Sequence, residues 1–419
     1  MWNKLQNERE SAGSYQNQWR PAIIFTLLVF MLASVFFSRM LLSVSMIVFI
    51  SFSFTHLKIK TQISSFVRSP LLWSMSLLFF VPLLSGLWSA NQKEWLDIIK
   101  IKAPLFLMPL AFAAPFGFSK KQWPLLAWIF IVFVTGATLW SMGHYILDFK
   151  QINENYLRSQ LLVTPLENDH VRFSWMLAVS VLVTVWLWLE KKNESNRNNR
   201  LLLILLVWQI IFLHILAART GLICFYAMAF IAGFGFILRK RKIKQAIPFL
   251  FLLIILPVIA YLVIPTFQNR VKYFLYDLPY FSKGHYSPSM NDAVRVISLK
   301  AGWGVLNEHP FSGVGFGDLS DETKNWYAAY QPQMQEADKI LPSSEWLIYG
   351  DGFGWPGMIL LGVVMFIPFF IRLKKDRLLW ILLNTSVLFS ILFDISLEIQ
   401  FGVFLYSFTV LWWWKQDVE

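Results

Sequence analysis

Two arginines in this 419-residue chain have the type and setting needed to bind an anion. Arg219 lies in Leu216-Ala217-Ala218-Arg219-Thr220-Gly221, at the junction of two long apolar runs. An unpaired charge at a membrane boundary is costly, so it marks a functional site by default, and small neighbours let helices pack closely around it. The alternative is an arginine that extends to the lipid headgroups.

Arg295 belongs to a segment that predicts a helix over residues 291–307. Asn291, Arg295, Ser298 and Gly302 share one face of that helix by the three-and-four spacing. Apolar residues gather on another face. Arg295 therefore belongs to a polar stripe.

A glycine-rich segment follows this helix, with Gly313, Gly315 and Gly317 alternating after His309-Pro310. Glycines let the backbone turn tightly or approach a ligand, and successive amides can bind phosphate. No strand precedes the segment and no Gly-Lys-Ser/Thr follows it, which excludes a nucleotide-binding fingerprint.

Glu345 is a candidate general base near the start of an apolar run, in Pro342-Ser343-Ser344-Glu345-Trp346-Leu347. The alternative is a solvated acid where the helix dipole favours negative charge. No pair among the six histidines has metal-ligand spacing, so the sequence predicts neither a metal site nor a cofactor.

The elements that must position these residues are membrane helices. The chain is 56% hydrophobic and 15% charged, with 20 Trp and 39 Phe, which excludes a soluble globular class. Apolar runs of about 20 residues recur along it and predict an all-α polytopic membrane protein of about twelve transmembrane helices. The predicted spans are 21–37, 40–56, 71–87, 101–117, 123–145, 172–190, 200–217, 220–238, 246–264, 353–371, 377–393 and 396–414.

Lysines and arginines concentrate in alternate loops, which predicts a topology with both termini in the cytoplasm. The loops 146–171 and 265–345 then face outward. We expect three regions: spans 1–9 in residues 1–264, a partly helical periplasmic loop in 265–345, and spans 10–12 in 346–419. The net charge of +12 lies at helix ends rather than on one soluble face, which favours membrane lipids over nucleic acid as the partner.

These segments together resemble the bacterial O-antigen ligase and polymerase family. Ala218-Arg219-Thr220-Gly221 resembles its Ser/Ala-Arg-Thr/Ser-Gly signature, and the stretch from Arg295 to Gly317 resembles its outer-loop motif. Residues 343–357 resemble the segment that follows, and Leu84-Ser85-Gly86-Leu87-Trp88-Ser89 matches a common early segment.

The resemblance implies an enzyme of the inner membrane whose active face is periplasmic. It would transfer a glycan from undecaprenyl diphosphate to an acceptor hydroxyl, such as one on lipid A core. Arg219 and Arg295 would stabilise the departing diphosphate by charge-assisted hydrogen bonds without a metal, and Gly313 and Gly315 would contribute to substrate binding.

The sequence departs from the family at the expected base, because Ser343 stands where similar enzymes have a histidine. A serine hydroxyl is no base near neutral pH. Glu345, His309 or Asp351 could substitute, or this chain could use another acceptor or be inactive.

Three other functions are compatible with the sequence. A polysaccharide polymerase would use the same donor chemistry. A transporter would require charged or broken helices near the span centres, of which the sequence shows few. A catalytically silent scaffold is suggested only by Ser343.

Overall fold

The computed structural model describes residues 19–190, 196–240, 243–283, 286–288 and 291–419, and all their regular secondary structure is helical. This confirms the all-α class. The first half contains α1 (Trp19–Ser34), α2 (Arg39–Ser53), α3 (Ile59–Arg68), α4 (Pro70–Ser85), α5 (Gln92–Lys102), α6 (Pro104–Phe112), α7 (Gln122–Leu147), α8 (Phe149–Tyr156) and α9 (His170–Glu190).

The second half begins with two helices that meet at the Arg219 motif. It contains α10 (Asn196–Leu216), α11 (Arg219–Lys240), α12 (Ile243–Val263), α13 (Pro265–Lys283), α14 (Asn291–Glu308), α15 (Leu319–Tyr330), α16 (Glu345–Phe370), α17 (Arg377–Leu392) and α18 (Gln400–Val418). The helix predicted over 291–307 is confirmed as α14, and helices occupy much of the predicted outer loop.

Among the described residues, four helices are long and apolar enough to cross a membrane: α7, α9, α10 and α16. The number rises to six if α3 with α4, bent by 84°, and α12 with α13, bent by 98°, each form one span. Helices α1, α2 and α17 and the first part of α11 are apolar but shorter. Length and composition therefore support a membrane protein and do not confirm a count of twelve.

The predicted span 101–117 is wrong as a continuous helix. The chain breaks at Ala103 between α5 and α6, and α6 has 9 residues. At 1.5 Å per residue it is about 14 Å long, against a hydrocarbon core of about 30 Å. Pro104 begins α6, and its missing N–H ends the ladder of α5.

Helix α9 is the centre of the bundle, with α7, α10, α11 and α17 packed around it. Of the residues in its apolar window, 78% are buried, against 44% or fewer in the other three long helices. Helix α11 approaches α9 closely because Gly221 has no side chain: a Cβ there would lie 2.6 Å from the Ser174 carbonyl oxygen. The first turns of α9 and α11 therefore lie side by side and present His170 and Arg219 at one end of the bundle.

Candidate functional site

Arg219 is the first residue of α11, and its guanidinium makes a two-pronged ion pair with the carboxylate of Asp292 on α14. Its Cζ lies 5.3 Å from the ring centroid of Phe274, a cation–π distance. Asp292 is itself fixed, because its N–H donates to Asp277 Oδ2 at 2.9 Å. The side chain of Arg219 stays 30% exposed, so its outer face remains open to a ligand.

A second arginine, Arg270 on α13, lies close enough for the charge of Arg219 to act on it. It donates to the hydroxyl of Ser159 and stacks on Tyr273 with 5.4 Å from Cζ to the ring centroid. Its Nε is buried and has no acceptor within the described segments. Two neighbouring guanidinium groups repel each other, so an anion between them would be stabilising.

A third arginine, Arg172 in the first turn of α9, pairs with Asp394 between Nη2 and Oδ2 at 2.7 Å. It also donates to the Ile395 carbonyl at 2.9 Å. Its Nε is buried without an acceptor in the described part of the chain. Burial raises the pKa of the Asp394 carboxyl, while the charges of Arg172 and of Arg295 act to lower it.

Arg295 lies on α14 one turn after Asp292, so the two side chains are neighbours on one helix face. It is half-buried, and no ion pair or hydrogen bond holds its guanidinium among the residues that the structure describes. The structure thus brings the two predicted arginines together through Asp292, although 76 residues separate them (295 − 219). Helices α9, α11, α13 and α14 each contribute one arginine to this group, here called the arginine cluster: Arg172, Arg219, Arg270 and Arg295.

Ser343 contacts the same stretch of α14. Its hydroxyl lies 3.0 Å from that of Ser298, and its N–H donates to the Ser298 oxygen at 3.2 Å. Ser298 follows Arg295 by one turn. Ser343 therefore packs against the turn of α14 that follows Arg295.

Glu345 lies two residues further on and is fully buried. Its Oε1 is 3.4 Å from Lys102 Nζ, and its Oε2 accepts the N–H of Leu397 at 3.0 Å. Lys102 also pairs with Glu398. Both oxygens of the predicted base are therefore held inside the protein.

His309 is exposed and follows Arg295 by fourteen residues at the far end of α14. That separation is about 21 Å along a helix axis. The structure does not bring His309 to the arginine cluster.

The glycine-rich segment packs against the bent start of α16. The N–H of Gly313 donates to the His309 carbonyl at 3.1 Å, and that of Gly315 donates to the Gly352 carbonyl at 3.2 Å. Both glycines have positive φ, +64° and +92°. With both amides occupied, this segment offers no phosphate cradle in this conformation, contrary to the sequence prediction, and its glycines serve close packing.

Asp351, another residue weighed from the sequence, lies in this contact on α16. It is fully buried, and neither of its carboxyl oxygens has a hydrogen-bond partner in the described segments.

Sequence reasoning did not single out Arg172, Arg270 or His170. A usable signal was present: all three lie beside predicted outer span ends, where lysine and arginine are otherwise sparse. What the sequence could not supply is their convergence on Arg219 and Arg295.

Residues 201–362 match the family model described as O-antigen ligase. The matched segment contains three members of the arginine cluster, Arg219, Arg270 and Arg295, together with Ser343, and Arg172 precedes it. No curated protein matches the sequence. Residues 201–362, which contain three of the motifs that suggested the resemblance, thus make this membrane protein similar to the O-antigen ligase family.

Proposed function

We propose that the protein transfers a glycan from undecaprenyl diphosphate to an acceptor hydroxyl, such as one on lipid A core. The observation that carries this proposal is a pair of buried donors without partners in the described part of the chain, the Nε atoms of Arg172 and Arg270, near the half-buried guanidinium of Arg295. Buried polar donors normally have partners. A diphosphate would supply many acceptor oxygens to one such cluster.

The chemistry follows from these charges. As the glycosidic bond breaks, its electron pair moves onto the diphosphate and adds to the negative charge that the donor already carries. Positioned cations therefore stabilise the transition state more strongly than the ground state. Arg219, Arg270 and Arg295 would bind the diphosphate oxygens, and we assign the neutralising role to them rather than to a metal ion. Asp292 keeps Arg219 in place between turnovers.

We infer that the site faces the periplasm, that the protein lies in the inner membrane and that both termini are in the cytoplasm. The cluster lies at the ends of α9 and α11 opposite to their basic flanks, since Lys191 and Lys192 follow α9 and Arg239 and Lys240 end α11. Basic flanks remain on the cytoplasmic side. Residues 265–345 then form the periplasmic region between residues 1–264 and 346–419.

The sequence offers Glu345 and His309 as candidates for the general base. Glu345 would have to leave Lys102 and the Leu397 amide to act. His309 would have to act from the far end of α14. The positions of Glu345 and His309 support a general base less well than the arginine cluster supports donor binding.

The experiment uses cells that lack the gene, complemented with wild type, Arg219→Ala, Arg295→Ala or Lys100→Ala. Lys100 is the control, because it is also an ion-paired cation, with Asp97 at 2.8 Å, but lies outside the cluster. We expect Arg219→Ala and Arg295→Ala to lose the surface glycan ladder and to accumulate glycan on its lipid carrier, and Lys100→Ala to keep the ladder.

Short glycans still attached in these cells would indicate a polymerase instead. A normal ladder in both cluster variants would overturn the diphosphate site.

A further inference from the structure

We propose that His170 is the general base that takes the proton from the acceptor hydroxyl. This inference rests on the proposed function, and it supplies the group that Ser343 leaves missing. His170 is the first residue of α9 and lies at the end of the first predicted outer loop.

Packing of α9 on α11 places His170 beside the proposed diphosphate site. Ser174, one turn after His170, accepts the N–H of Gly221 at 3.0 Å, and Gly221 is two residues from Arg219. Residues four apart share a helix face. His170 is therefore on the side of α9 that faces the start of α11, near the level of Arg219.

The charges of two further members of the arginine cluster, Arg270 on α13 and Arg295 on α14, act on the imidazole, as does that of the adjacent Asp169. Around these lie the ion pairs Arg172–Asp394 and Arg219–Asp292. The imidazole thus lies among the groups that would hold the donor.

The carbonyl of Asn168 accepts the backbone N–H of His170 at 2.8 Å, which fixes the first residue of α9. A neutral imidazole has one ring nitrogen that can accept a proton.

The backbone before His170 is strained. Leu166, Glu167 and Asn168 have φ values of 61°, 56° and 66°, three consecutive left-handed residues without a glycine. Such residues are costly and concentrate at functional sites. Of six non-glycine residues with positive φ in the described segments, these three, Ser159 beside Arg270 and Ala217 beside Arg219 flank the cluster.

The other described histidines are placed for other roles. His214 is held by Ile210 and Tyr226 inside the bundle, each at 2.7 Å. His144 packs on Trp140, His56 bonds to Gln62, and His309 lies at the far end of α14. Within the described residues, His170 is the histidine that adjoins the arginine cluster.

The proposed step balances. The acceptor oxygen forms a bond to the anomeric carbon of the glycan as the bond from that carbon to the diphosphate oxygen breaks. The leaving electron pair stays on undecaprenyl diphosphate, between Arg219, Arg270 and Arg295. The acceptor proton moves to the unprotonated ring nitrogen of His170 and returns to solvent after product release.

The test uses the purified full-length protein, with lipid-linked glycan and glycan-free lipopolysaccharide extracted from cells that lack the gene. Transfer and the binding of undecaprenyl diphosphate are measured separately for wild type, His170→Gln, His170→Ala, Arg219→Ala and His144→Gln. We expect His170→Gln to lose at least about 100-fold in transfer, the usual range for a general base. It should bind undecaprenyl diphosphate within about twofold of wild type, because a general base acts on the proton of the acceptor. His144→Gln is the matched histidine control and should behave as wild type.

Imidazole added to His170→Ala should restore part of the transfer, which a purely structural histidine would not allow. Transfer by His170→Gln close to wild type, alongside an inactive Arg219→Ala, would overturn the role of His170 and leave the proposed function standing. Loss of undecaprenyl diphosphate binding in His170→Gln, or no rescue of a His170→Ala variant that still binds it, would also overturn it. Normal transfer by Arg219→Ala would contradict the proposed function itself.

Discussion

At the scale of single residues, Ser343 and His170 both lie near Arg295. Ser343 lies against Ser298, one turn from Arg295, while the charge of Arg295 also acts on His170. A histidine at either position could therefore reach the same acceptor hydroxyl. We expect Ser343→His to restore transfer in a His170→Gln background by at least about tenfold, a fraction of the effect of a general base.

The measurement is the transfer rate with the extracted donor and acceptor, compared among His170→Gln, the double variant and Ser343→His alone. Ser343→Ala in the same background is the control and should restore nothing. Equal transfer rates in the double variant and in His170→Gln alone would show that a side chain at position 343 does not reach the acceptor.

Arg270 gives a second prediction at this scale. Its buried Nε lacks an acceptor among the residues that the structure describes, and its charge adds to that of Arg219. A hydrogen bond to a charged group contributes about 1.5–3 kcal/mol, which is roughly 10- to 100-fold in affinity. We expect Arg270→Gln to raise the Kd for undecaprenyl diphosphate by that factor.

Lys272→Gln provides the control. Lys272 is exposed on the same helix, and its substitution removes one positive charge, as Arg270→Gln does. Isothermal titration of both variants gives the comparison. A similar loss in both would mean that overall charge, rather than the cluster, attracts the diphosphate.

The sequence identified Arg219 because it is a cation at the junction of two apolar runs, and Arg295 because it lies on the polar stripe of a predicted helix. It could not identify the use of the Gly313 and Gly315 amides, since an amide that looks available in sequence can be occupied by a distant carbonyl such as that of Gly352. Partner choice of this kind depends on tertiary packing.

At the scale of elements, the glycine-rich segment tests how α16 is fixed. A Cβ at Gly313 would lie 2.4 Å from both the Asp351 carbonyl oxygen and the Phe353 nitrogen, and its φ of +64° disfavours any side chain. We expect Gly313→Ala to destabilise the fold by about 2 kcal/mol or more, a large value for one methyl group. The measurement is the Tm of the purified protein in detergent.

Gly143→Ala is the matched control. No atom of the described residues lies within 4 Å of a Cβ at Gly143, which is four residues before the end of α7. Alanine should leave Tm unchanged or raise it slightly. Equal Tm values for both variants would show that the contact between the glycine-rich segment and α16 contributes little.

The buried group Lys102, Glu345 and Glu398 connects α5, α16 and the turn before α18. Lys102→Met would leave two buried carboxylates without their cation, which typically costs about 3–5 kcal/mol. We expect a marked fall in Tm, largely reversed when Glu345→Gln and Glu398→Gln are added. No fall in Tm for Lys102→Met would show that the carboxylates find another partner.

The same group decides between a structural and a catalytic Glu345. Glu345→Gln alone should keep transfer within a few-fold of wild type if its carboxylate serves packing. Loss of transfer at an unchanged Tm would instead support Glu345 as the base.

Elements were predictable where local pattern and tertiary packing agree. Helix α14 has a periodic apolar face and begins and ends near its predicted limits. The prediction of one span over 101–117 was wrong because it depended on apolar content alone. Pro104 and the buried Lys102 divide the segment into two short helices.

At the scale of the whole molecule, the sequence predicted the membrane environment more reliably than the lengths and bends of the helices in it. Hydrophobic content and basic loops predicted a helical membrane protein, but several apolar helices prove shorter than a bilayer, and two pairs are sharply bent. How a short or bent helix sits in lipid depends on its neighbours. Topology therefore needs its own experiment.

The proposed topology predicts which surface positions a membrane-impermeant reagent can reach. The native Cys224 is buried, so it should remain unlabelled in the folded protein. We expect Asn325→Cys, exposed on α15 in the proposed periplasmic region, to react with an impermeant maleimide in cells whose outer membrane alone is permeabilised. Lys120→Cys, exposed in a basic turn assigned to the cytoplasm, should react only after lysis. Because positive loops stay inside, reversed labelling would place the arginine cluster in the cytoplasm, where a periplasmic acceptor could not reach it.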